Sequence, residues 1–186
     1  MTTPVPEIPA KTLYLDTEVD GIAPPRDTFY EIAIVVDDGN VIVNTLVNTE
    51  RPLGDGPKYR GLTEDDFAGK PTLRKLWPQI EAIVTGCHVV IYNADHDSRF
   101  FPKQLAAAGH VSCAMKRFAP IYGTYSTYHG SYTYKSLRET ARYIGYKVEG
   151  PQHHALTDAM TCRAIWQWME DRNDFNGVPL LPRYGT

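Results

Sequence analysis

Apolar and polar positions divide this chain into strands first and helices after. Thr12–Leu15 is short and apolar-rich and runs straight into Asp16. Phe29–Val36, reading F-Y-E-I-A-I-V-V, is rich in β-branched and aromatic residues. Asp38-Gly39-Asn40 carries hairpin-turn chemistry, and Val41–Val47 returns as a third strand. These runs predict an antiparallel meander. Arg51–Pro57 reads as a loop. From Thr72 the period changes: Leu73, Leu76, Trp77, Ile80, Ile83 and Val84 recur at helical spacing, and Gly86 stops them. His88–Tyr92 reads as a buried strand, Ser98–Ala108 as a helix ended by Gly109, and Val111–Cys113 as a short strand. Lys135–Ile144 reads as a helix ended by Gly145, and a last helix runs from about Ala155 to Arg172 after Pro151. The order βββαβα, then mostly helix, predicts an α/β fold with a mixed sheet flanked by helices. No linker, charge run or repeat splits residues 12–173, so one domain is expected there. Residues 1–11, Pro-rich and polar, are expected to be a disordered tail, and 174–186 a C-terminal tail, either a docking peptide or a strap.

Composition narrows the class. The 186 residues, 42% hydrophobic and 22% charged, suit one domain with a sizeable core. No stretch reaches the roughly 18 apolar residues of a membrane span, and the N-terminal stretch lacks the basic-then-apolar pattern of a signal peptide. Cys87, Cys113 and Cys162 are odd in number and form no Cys-x-x-Cys. That argues against a disulfide framework or a thiolate zinc site and fits small buried groups in a reducing cytosol. A net charge of −3 does not suit a non-specific nucleic-acid coat. It is compatible with an enzyme whose carboxylates hold metal ions that meet phosphates.

Three short motifs carry candidate chemistry. Asp16-Thr17-Glu18 ends the first strand, where residues i and i+2 share a face, so both carboxylates point the same way. Paired carboxylates repel unless a cation lies between them, and hard oxygen donors suit Mg²⁺ or Mn²⁺. Tyr92-Asn93-Ala94-Asp95-His96-Asp97 follows the buried strand, at the kind of strand edge where sites gather in open α/β sheets. Asp97 begins a helix there, and Asp95 competes with it for the same role. His153-His154-Ala155-Leu156-Thr157-Asp158-Ala159 opens the last helix and adds a third carboxylate and a general base. Within a helix His154, not His153, would share a face with Asp158. Each motif also has a plain structural reading, as a solvated strand end, a helix cap or a dipole partner.

Taken in order, the motifs resemble the DEDDh exonucleases, the family of bacterial proofreading subunits, RNase T and oligoribonuclease. The likeness spans roughly residues 12 to 170. It includes Leu15-Asp16-Thr17-Glu18 with Gly21, Glu31-Ile32-Ala33, Gly61-Leu62-Thr63 with Pro71-Thr72, Asn93 to Asp97, Cys113-Ala114-Met115, Ser136-Leu137, and His153 five residues before Asp158-Ala159. Tyr92 and His96 depart from it, standing where the family usually has His and Phe. The resemblance implies a ribonuclease H-like mixed five-stranded sheet and a metal-dependent 3′→5′ exonuclease. Two Mg²⁺ ions (Mn²⁺ substituting) would be held by Asp16, Glu18, Asp97 and Asp158, with His153 taking the proton from the attacking water. The family spacing favours His153 over His154, and Pro151 supports a loop there.

The resemblance also makes Leu62 a candidate wedge between the last bases and puts Thr17 and Val19 near the terminal sugar, with Tyr92 and Asn93 beside the substrate. Lys116, Arg117, Lys135, Arg138 and Arg142 are candidate phosphate contacts. The expected partner is the 3′ end of DNA, single-stranded or frayed. RNA trimming is the alternative, and a non-catalytic nucleic-acid-binding module or an interaction domain stands further off. Tyr122 to Tyr134 packs five of the chain's twelve tyrosines into a short polar stretch, suited to base stacking or to a contact within a homodimer.

Overall fold

The structure is a computed structural model that describes residues 11–151 and 153–173; all but the last residue of the expected 1–11 tail, and the expected tail 174–186, lie outside the described residues. Three antiparallel strands come first: β1 (Thr12–Val19), β2 (Phe29–Val36) and β3 (Val41–Leu46). The predicted turn closes through Val36 N–H to Asn40 O (2.9 Å), with Asp38 Oδ1 accepting from Asn40 N–H. β1 runs past Leu15 because Asp16, Thr17 and Glu18 remain paired to β2. After α1 (Asp55–Tyr59), which forms at the end of the predicted loop, comes α2 (Leu73–Val84) and then β4 (His88–Ile91), parallel to β1. Gly86 and Gly145 follow their helices at φ 70° and 76°, the left-handed stop that glycine adopts without penalty.

The predicted helix over Ser98–Ala108 is a correction. The segment instead holds a single turn, α3 (Ala94–Asp97), a 3₁₀ turn (Ser98–Phe100) and α4 (Pro102–Leu105). Pro102 has no N–H and disfavours helical backbone before it, and Phe101 lies at φ −145°, ψ 51°. β5 (His110–Cys113) completes a sheet of order β3-β2-β1-β4-β5. Then follow α5 (Ala114–Tyr122), which periodicity alone missed, a small hairpin of β6 (Tyr125–Ser126) and β7 (Ser131–Tyr132), α6 (Leu137–Tyr143) and α7 (Ala155–Asn173).

Strand alternation sorts the core into two layers. Leu13, Leu15, Ile32, Ile34, Val89 and Ile91 face α2 and α4. Tyr14, Ala33, Val35 and Val90 face α5, α6 and α7, packing on Phe118, Cys162, Ile165 and Met169. Both faces are covered, which is why β2 and β4 are apolar apart from Glu31 and His88. Cys162 is buried as expected, whereas Cys87 and Cys113 are half-buried and donate to the carbonyls of Ile83 and Tyr92.

α6 starts on a capping box. Ser136 Oγ accepts from Glu139 N–H, and the Glu139 carboxylate accepts from Ser136 N–H at 2.9 Å. Ser136→Ala should cost about 1 kcal/mol, measured as a lowered urea midpoint; an unchanged midpoint would mean that the box contributes nothing.

Candidate active site

Strand parity and register assemble the site. Asp16 and Glu18 follow Tyr14 on the face that packs against α7. The β1–β2 register sets Asp16 opposite Ala33 and Glu18 opposite Glu31, so two carboxylates are cross-strand neighbours on that face. Asp158 arrives from the first turn of α7, its N–H bonded to His154 O at 3.0 Å. One ligand oxygen from each of Asp16, Glu18 and Asp158 lies within 4.8 Å of the others. Asp97, 6% exposed, ends α3 rather than capping it, and its Oδ1 accepts from the Thr17 hydroxyl at 2.7 Å. Asp95 points outward instead and pairs with Lys116 at 2.5 Å, which separates the two competing aspartates.

The carboxylates perturb one another. Burial pushes the Asp16 carboxyl well above the usual range, and the charges of Asp97, Asp158, Glu18 and Glu31 push the same way. Burial first, then Asp158, raises Glu18 to about 7, against a lowering by Arg60. Burial raises Asp158, against lowering by Arg138 and His153. A cluster that resists ionisation beside its own kind, built from hard oxygen donors, fits a divalent cation.

Arg60 is the residue that sequence reasoning missed. Its side chain is 8% exposed, and the guanidinium pairs with Glu31, lies 5.7 Å over the Tyr30 ring and comes within 2.7 Å of His154 Nδ1. It neutralises the carboxylate that register forces against Glu18. His154 is thus held between Arg60 and Glu31, 3.8 Å from the latter. His153 stands outside α7 at φ 57°, exposed, with its charge felt at Asp158. That backbone is uncommon for a residue with a Cβ and is found where a side chain must be aimed.

The remaining candidates separate. Tyr92, expected beside the substrate, is 6% exposed and its hydroxyl donates to Lys135 O at 2.7 Å. Asn93 precedes α3, its carbonyl accepting from His96 and Asp97 N–H. Thr17 is buried and spends its hydroxyl on Asp97, and Val19 packs at the margin of the sheet core. Leu62 is half-buried against Tyr30, Leu53 and Phe67. Among the basic candidates Arg117 is taken by Glu170 and the Trp166 ring, whereas Arg142 is exposed. His96 lies 3.9 Å from Asp97 Oδ2 and stacks near Phe100.

The raised carboxyls fix a pH dependence. Their folded-state pKa values lie above the unfolded ones, so the folded chain binds more protons. Their contribution to stability is full below the ordinary carboxylate range, near pH 4, and is lost as pH rises through about 7, the Glu18 value. In EDTA the melting temperature should therefore fall across that window, and Glu18→Gln should flatten the fall. A thermal-shift series showing the same slope in both proteins would count against a shared acidic site.

No protein-family model matches the chain. Among curated proteins it is similar to one of Escherichia phage 186 named "Uncharacterized exonuclease CP81", 26% identical over 159 residues, which are 78% of this chain and 81% of that one. Among solved structures it is similar to E. coli exonuclease I in complex with a dT13 oligonucleotide, with a TM-score of 0.70 and 14% identity over 89% of this chain. The zinc-bound form of the exonuclease I–single-stranded DNA complex aligns at a TM-score of 0.69 and 14% identity over 90%. The chain spans about two fifths of exonuclease I, 42% of its length. The mixed five-stranded sheet with helices on both faces is the ribonuclease H-like fold of that enzyme. Among the described residues no helix is long and apolar enough to cross a membrane.

Proposed function

We infer that this chain is a divalent-metal-dependent 3′→5′ exonuclease of the DEDDh type, removing nucleotides from the 3′ ends of DNA. The observation that carries the reading is the convergence of Asp16, Glu18 and Asp158 from two separate elements to within 4.8 Å, with Asp97 tied in through Thr17.

Asp16, Glu18, Asp97 and Asp158 would hold two divalent ions, Mg²⁺ by the hardness of the donor set. Bound metal supplies the positive charge that activates water and stabilises the leaving 3′-oxygen. The chain's own groups do the rest. Register and packing on α7 hold the carboxylates in place before substrate arrives, so little reorganisation is left for the reaction. Thr17 fixes Asp97 in one orientation. His153, on the exposed approach to α7, takes the proton from the attacking water, a task suited to an imidazole. His154 is occupied by Arg60, which supports His153 for that role. Leu62 and Val19 line the approach for the terminal nucleotide. The three thiols suit a reducing cytosol.

The test is a gel assay on 5′-labelled DNA and RNA of one sequence, with Mg²⁺ or EDTA. A magnesium-dependent ladder that shortens from the 3′ end, faster on DNA, is the expected result. A ladder faster on RNA would replace the DNA substrate by RNA. No ladder on either strand would sink the reading in favour of a binding module.

A further inference from the structure

We propose that the Tyr125–Tyr134 hairpin is a stacking surface for the bases of single-stranded DNA lying upstream of the 3′ end; the assignment rests on the exonuclease reading and names where its substrate strand runs. Tyr125, Tyr128, Tyr132 and Tyr134 are 54%, 91%, 41% and 54% exposed, an unusual concentration of bare rings. They are held rather than loose. β6 pairs with β7, Thr133 N–H donates to Thr124 O at 2.8 Å, Gly130 turns the tip at φ 62°, and Tyr125 meets Tyr132 edge-on at 5.3 Å. Between the rings stand only Gly, Ser, Thr and His, with no aliphatic side chain from Gly123 to Ser136. A protein–protein contact wants a continuous apolar centre. Separated flat rings with polar spacers instead suit separated flat bases.

Charge agrees with that partner. From Lys116 to Arg138 the sequence has four cations and no Asp or Glu, in a chain of net charge −3. Lys116 and Arg117 are paired elsewhere, but Lys135 lies over the Tyr122 ring at 4.4 Å at the root of the hairpin, and Arg138 follows in the first turn of α6. The root is continuous with the acidic site. Tyr92, next to the Asn93–Asp97 turn, donates to Lys135 O at 2.7 Å. A strand whose 3′ end sits among the carboxylates therefore meets cations and then rings.

The experiment uses the full chain and fluorescently labelled single-stranded DNA of about sixteen and about four nucleotides, the span of sites on such surfaces. By anisotropy in EDTA, Tyr128→Ala, and Tyr125→Ala with Tyr132→Ala, should weaken the long strand by about five- to a hundredfold. They should leave the short strand's affinity and its magnesium-dependent hydrolysis unchanged, and Tyr→Phe should restore the long strand. Equal long-strand affinity in wild type and alanine variants would overturn the proposal while the exonuclease reading stands. So would variants whose only change is a loss of self-association in sedimentation, which would make the hairpin a contact between copies. A wild-type chain that binds and cuts neither strand would take away the exonuclease reading with it.

Discussion

Asp16→Asn should lower magnesium-dependent hydrolysis by on the order of a thousandfold or more while leaving the metal-free protein at least as stable as wild type. The two halves come from the same physics. Asp16 is half-buried and surrounded by Glu18, Glu31, Asp97 and Asp158, which together with burial hold its carboxyl well above the ordinary range. Without a cation its negative charge is a liability, and an amide of the same shape relieves it. With a cation that charge is the ligand, and its loss costs about 4 kcal/mol of transition-state stabilisation for a thousandfold. Digestion rate, Mn²⁺ calorimetry and melting in EDTA read the three quantities separately. A folded Asp16→Asn protein that digests DNA near the wild-type rate would end the assignment.

The second large effect concerns the base. His153→Ala should cost about a hundred- to ten-thousandfold in rate, the usual range for a positioned proton acceptor, with metal affinity unchanged. His154→Ala should cost much less in rate, because His154 leans on Arg60 and Glu31 rather than on the open side of the cluster. A variant pair with the opposite ranking would move the role to His154.

Much of this could be read along the chain, and the exceptions are instructive. β2 matched its predicted limits because both faces are buried and all its residues but Glu31 and Ala33 are β-branched or aromatic. β1 outran its prediction because Asp16-Thr17-Glu18 looks like a polar strand end; only pairing with β2 keeps it extended. The i, i+2 rule placed both carboxylates on one face correctly, since that geometry is local. The helix expected over Ser98–Ala108 breaks at Pro102, where a missing N–H overrides the apolar spacing. The Pro151 loop, by contrast, left His153 outside α7 as its spacing required.

What the sequence by itself determined is the five strands of the main sheet, the helices α2, α6 and α7, and the three short acidic motifs in order. These depend on side-chain period, turn chemistry and spacing, all carried within a few residues. Only the tertiary structure decided which carboxylates meet. Register set Glu31 against Glu18, and packing of α7 on the sheet brought Asp158 to Asp16. Arg60 entered from a loop to meet His154, 94 positions away in sequence. Charge–charge energies depend on distance in space and on burial, and neither is a property of neighbouring letters. A sequence can therefore nominate its acidic residues, but the folded chain selects among them.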